Sequence, residues 1–166
     1  MRFVVVALVA VFIGCAAPVP PATTPSPTFG TTVPCGPAER LERHAHAHLT
    51  IVIRGQLRPV PANIGITATQ ICWLHTHDTS GIIHIEAGDN RTFTLGDLFA
   101  VWRQPLGATV IDGDRVGSGE SIQATVNQQP HSGAPETIVL KEHEDIVLQL
   151  GAPFLTVPPY VWPPGY

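Results

Sequence analysis

Lysine and methionine are almost missing from this 166-residue chain, which has one of each, Lys141 and Met1. Nine basic residues stand against thirteen acidic ones. With no basic stripe to follow a phosphate backbone, nucleic acid is a poor partner. The lack of internal methionine removes the thioether ligands that suit Cu(I). Nucleophile motifs are missing too: neither Ser80 nor Ser118 sits in a Gly-x-Ser-x-Gly elbow, which argues against a serine hydrolase. The glycines show no phosphate-binding spacing, and no repeat of solenoid or propeller length is present. Asp112-Gly113-Asp114 lacks the rest of a calcium loop and reads as a hairpin turn.

What is present begins with a leader. Arg2 is followed by an apolar run, Phe3 to Ile13, ending at Gly14-Cys15, a pattern too short to span a bilayer and typical of a cleaved signal. Phe12-Ile13-Gly14-Cys15 resembles the lipobox of bacterial lipoproteins. That resemblance implies diacylglycerol on Cys15, cleavage before it, and a chain anchored on the outer side of the cytoplasmic membrane. An ordinary secretory signal cut among Ala16-Ala17 is the alternative, and either route exports the domain. Residues 1–14 are thus read as signal and 15–34 as lipidated Cys15 plus a Pro, Thr and Ser tether, whose composition cannot offset its ordering entropy. Removing Cys15 from three cysteines leaves Cys35 and Cys72, expected to form a disulfide outside the cytoplasm.

Residues 35–166 suffice for one domain. From His44 to Arg54, Ala45, Ala47, Leu49, Ile51 and Ile53 alternate with His44, His46, His48, Thr50, Val52 and Arg54, a half-buried strand. Gly55-Gln56 turns into a second strand, Leu57 to Pro61. Ile71 to Ala87 reads as another hairpin around Asp78-Thr79-Ser80-Gly81. Thr94 with Asp97 forms a capping box, and Leu95, Leu98, Phe99 and Trp102 fall on one helical stripe that Pro105 stops. Short strands are expected near 108–111, 123–127, 137–140 and 146–150, with Glu142 to Asp145 as the last turn and an extended tail from Pro158. The fold class is α+β, mostly β: a small mixed sheet of hairpins with one amphipathic helix. Its element order is similar to the ubiquitin-like β-grasp over about Leu49 to Gly151.

Six of the eight histidines lie between His44 and His84. Residues two apart on a strand share a face about 6.8 Å apart, near enough for two imidazoles to meet one ion. If the second hairpin turns at residues 79–81, His77 stands opposite His84 and His75 opposite Glu86. The expected metal site is therefore His75, His77 and His84, with His44, His46 and His48 brought alongside and Glu86 or Asp78 assisting. Imidazoles with a carboxylate suit Zn(II) or Cu(II). The segments His44 to Leu49 and Leu74 to Glu86 resemble those of a group of exported bacterial proteins carrying His-x-His-x-His-Leu and Leu-His-Thr-His-Asp-x-Ser-Gly-x-Ile-His; the resemblance supplies no activity. Three readings stay open. One is a cell-envelope metal-binding protein for sequestration or delivery. Another is a zinc hydrolase or lyase with an open coordination position and Glu86 or Asp78 as base. The last is a non-catalytic interaction module with structural or pH-sensing histidines.

Overall fold

Alternation of apolar with polar side chains, strict from residue 44 to 51, runs through the longest strand among the described residues, and the sheet is built outward from it. The computed structural model describes Met1, residues 32–152 and residues 154–166; the leader, with Cys15, lies outside the described residues. The strands are β1 (Cys35–Gly36), β2 (Arg43–Ile53), β3 (Gln56–Arg58), β4 (Ile71–Cys72), β5 (Leu74–His75) and β6 (Ile82–Ala87). After helix α1 (Leu95–Trp102) come β7 (Leu106–Gly107), β8 (Val110–Ile111), β9 (Asp114–Arg115), β10 (Ser121–Val126), β11 (Gln129–Pro130) and β12 (Glu144–Gly151). The principal sheet has the order β11–β10–β12–β2–β6–β5, and β3 also pairs with β2.

β2 meets β6 along its first half, from Arg43 to His48, and β3 along its second, from Ile51 to Ile53. On its other side it runs parallel to β12. This parallel pairing places the first and last long strands side by side at the centre of the sheet. The β2–β3 turn is Arg54-Gly55, one residue earlier than expected, and both residues have positive φ, as a two-residue hairpin requires. β3 ends at Arg58, short of the expected Pro61; Pro59 and Pro61 have no N–H to continue a ladder.

Ala45, Ala47, Leu49, Ile51 and Ile53 of β2 join Ile83 and Ile85 of β6 and Ile146, Leu148 and Leu150 of β12 in one core. Helix α1 supplies Leu95, Leu98 and Phe99 to it, all at most 1 % exposed. Its start is as the sequence specifies: the Thr94 hydroxyl accepts from Asp97 N, and the Asp97 carboxylate accepts in turn from Thr94 N. Residues 137–140 depart from expectation. Pro135–Thr137 is a 3-10 turn, and the strand reduces to a bridge between Val139 and Thr94. Ile138 O and Leu140 N bond to Leu95 N and Phe93 O, so this segment serves the helix start rather than the sheet.

The histidine face of β2 is not half-buried. Residues 154–166 cross that face. Leu155 and Gln149 exchange two hydrogen bonds of 2.9 Å, and Tyr160 N donates to Asp145 Oδ2 at 2.9 Å. Asp145 belongs to β12 rather than to the preceding turn, so it points up beneath the tail. Val33 is also buried in the core, so packing begins at the end of the tether segment.

Cys35 and Cys72 form the disulfide and are direct partners in the β1–β4 ladder. Its reduction, which opens a loop of sequence separation 37, is expected to lower stability by about 3–4 kcal/mol in the chain-entropy account. Urea unfolding with and without reductant measures this. A change below about 1 kcal/mol would mean that the reduced chain keeps the loop closed by other contacts.

Candidate metal centre

Period-two alternation puts His44, His46 and His48 of β2 and His84 and Glu86 of β6 on the face away from the core. Register then makes neighbours of them. His46 lies opposite His84, and His84 opposite His75 of β5, giving a row of three imidazoles across three strands. His44 lies opposite Glu86 in the adjoining row.

The β5–β6 register is two residues away from the expected one: His75, not His77, faces His84. The cause is Thr76, which is fully buried. Its hydroxyl donates to Pro61 O at 2.7 Å and accepts from Ile64 N at 3.1 Å, which draws the chain off the sheet after His75. The loop to β6 is correspondingly wide. A two-residue shift preserves side-chain parity, so the same groups still converge, with His77 reaching back from the loop. Gly81 closes this loop at φ +89°, where a Cβ would stand 2.5 Å from Leu49 O.

Two groups of donor atoms result, each with all its members within 4.8 Å of one another: His75, His77, His84 and Glu86, and His44, His46 and His84. In the first, His75 Nδ1 lies 2.9 Å from Cys72 O. That carbonyl can only accept, so Nδ1 carries the proton and Nε2 presents a lone pair. His75 Nε2 stands 3.2 Å from His77 Nε2 and 3.9 Å from Glu86 Oε2. Two nitrogens bound tetrahedrally at 2.0–2.1 Å are about 3.3 Å apart, so this spacing suits a shared ion. Glu86 Oε2 is buried and has no hydrogen-bond partner among the described residues, in a place where an unpaired carboxylate oxygen is costly. Glu86 Oε1 lies 3.2 Å from His84 Nδ1 and 3.4 Å from His44 Nε2.

Burial sets the charge states. Loss of solvation pulls His75 down to about 4 and His84 down to about 3, with repulsion from neighbouring imidazoles adding to both. His46 is lowered chiefly by burial as well, and burial raises Glu86. Neutral imidazoles are the form that ligates metal.

Two expected participants are placed otherwise. His48 belongs to neither group. Its Nδ1 is 3.0 Å from Asp145 Oδ1, its Nε2 is 3.1 Å from Ser80 O, and Tyr160 stacks on its ring at 3.6 Å; with both nitrogens engaged, it ties tail, loop and sheet together. Asp78 is exposed and accepts from Ser80 N at 2.8 Å, which makes it a turn residue. His44 does join a group, and its side chain is 48 % exposed. Sequence reasoning did not foresee Tyr160, Trp162 and Tyr166 as part of the site. Tyr166 lies 4.8 Å from His46 and 6.0 Å from His84 between ring centroids, and Trp162 lies 4.7 Å from His143. Aromatic residues spaced through a Pro-rich tail were the only available signal, and a tail's destination is not written in its own pattern. Compared with known protein families, curated proteins and solved structures, the chain matches none of them.

Proposed function

We propose that this chain is a lipid-anchored cell-envelope protein that binds a divalent transition metal, Zn(II) or Cu(II), and sequesters or delivers it. The observation that carries the reading is the convergence of the His75 and His77 ring nitrogens on the unpartnered Glu86 Oε2, beside His84. Three imidazoles and one carboxylate complete a tetrahedral set, which favours holding an ion over activating a water at a vacant position. The Cys72 carbonyl on His75 Nδ1 is the usual device for orienting a ligating ring. Among the described residues no cysteine sulfur is free to ligate, because Cys35 and Cys72 are joined, so borderline ions fit better than Cu(I).

Elemental analysis and calorimetry of the purified full-length chain test the reading. It expects Zn(II) or Cu(II) to bind far more tightly than to an unstructured histidine peptide. Binding no tighter than that peptide would make the cluster structural and remove the function. The anchor is tested separately. Cys15→Ser is expected to abolish labelling by a lipid precursor and to release the protein from the membrane fraction. Equal labelling and unchanged membrane fractionation of the mutant would overturn lipidation at Cys15.

A further inference from the structure

His84 is a member of both donor groups, and the row across the sheet explains why: it stands between His46 on β2 and His75 on β5. Its ring centroid lies 4.7 Å from that of His46 and 4.4 Å from that of His77, edge to face in both cases. We propose that one metal ion moves between two stations that share His84, an outer one made by His44, His46 and His84 and an inner one made by His75, His77, His84 and Glu86. This rests on the metal-binding reading above and specifies how the ion enters and leaves.

The stations differ in the ways that exchange requires. The outer one offers three nitrogens and includes His44, whose side chain is 48 % exposed, so it leaves a coordination position for an incoming or departing ligand. The inner one adds the buried carboxylate of Glu86 and is the more complete. Two ions at once are disfavoured by charge: Glu86 is the only carboxylate in the two groups, and two divalent cations sharing one ligand on a largely buried face would stay far from neutral. Ligand supply agrees. With Nδ1 of His84 donated to Glu86 Oε1 at 3.2 Å, one lone pair, on Nε2, is left to give. An ion therefore passes from one station to the other by exchanging His44 and His46 for His75, His77 and Glu86 while His84 stays bound, with no proton or electron transferred.

The test uses the full-length chain loaded with zinc, a chromophoric chelator in excess, and stopped-flow release. Wild type is expected to hold one zinc per chain. His46→Gln, which keeps a polar side chain in the row, is expected to hold one zinc and release it at least tenfold more slowly, because the exit station is lost. His77→Ala is expected to hold one zinc less tightly and release it faster, from the outer station alone. Matching thermal unfolding of the metal-free variants establishes that each is folded, and His131→Ala serves as the unaffected comparison. Two zincs per wild-type chain, or equal release rates for wild type and His46→Gln, would overturn the relay while leaving metal binding intact. No zinc bound by wild type would remove both.

Discussion

Replacing His84 with Ala is expected to lower zinc affinity by about a thousandfold or more, roughly 4 kcal/mol, and to do so beyond any other single histidine. The expectation follows from the row rather than from residue type. His44 and His46 belong to one group and His75 and His77 to the other, so removing any of these leaves a group intact; His84 belongs to both. Its loss also strips Glu86 Oε1 of its contact with His84 Nδ1, leaving the carboxylate less well held. From the sequence, His77 was expected opposite His84; the observed register puts His75 there, with His84 in the middle of the row. Calorimetric titration of His84→Ala, His77→Ala and His131→Ala with zinc decides the matter. A His84→Ala protein that binds within tenfold of wild type would show that the two groups do not depend on a shared ligand.

The second large effect is on the stability of the metal-free protein. Both His75 and His84 have folded-state values below the ordinary 6.5, about 4 and about 3. A histidine whose folded value is depressed takes up its proton more readily when unfolded. Its contribution is therefore complete above about pH 6.5 and is lost as pH falls toward the folded value. For His75, displacement from 6.5 to about 4 corresponds to about 3 kcal/mol. His84 adds to this in the same direction and over the same range of pH. His46 acts in the same direction. Glu86 opposes them, because its raised value means burial penalises its anion and acid relieves that penalty. The net expectation is a steep loss of stability from about pH 6.5 to pH 4, largely suppressed by bound zinc, which keeps the imidazoles unprotonated. Urea unfolding across that range, with and without zinc, measures it. A metal-free protein equally stable at pH 6.5 and 4.5 would show that the cluster is more open to water than its burial implies.

The sequence by itself determined which side chains share a face. Strand alternation is a property of the backbone, so His44, His46 and His48 had to point away from Ala45, Ala47 and Leu49 wherever the strand was placed. His84 and Glu86 had to accompany each other on β6 for the same reason. The helix was equally legible, because Thr94, Asp97 and the stripe of Leu95, Leu98 and Phe99 act within a few residues of one another. So was the cysteine pair, by elimination.

Only the tertiary structure decided which of those side chains meet. The β5–β6 register was set by Thr76 bonding to Pro61 and Ile64, partners that no local pattern connects to it. The parallel β2–β12 pairing joins residues nearly a hundred positions apart and carries Asp145 to His48. His48 thereby stays out of the two donor groups, since its two nitrogens go to Asp145 and Ser80. The tail then buries a face that its strand pattern marked as half-exposed. Periodicity fixes direction within one strand, but proximity across strands depends on register and loop path, and burial on whatever covers the sheet; those are long-range choices, made by contacts that form only when the whole chain has folded.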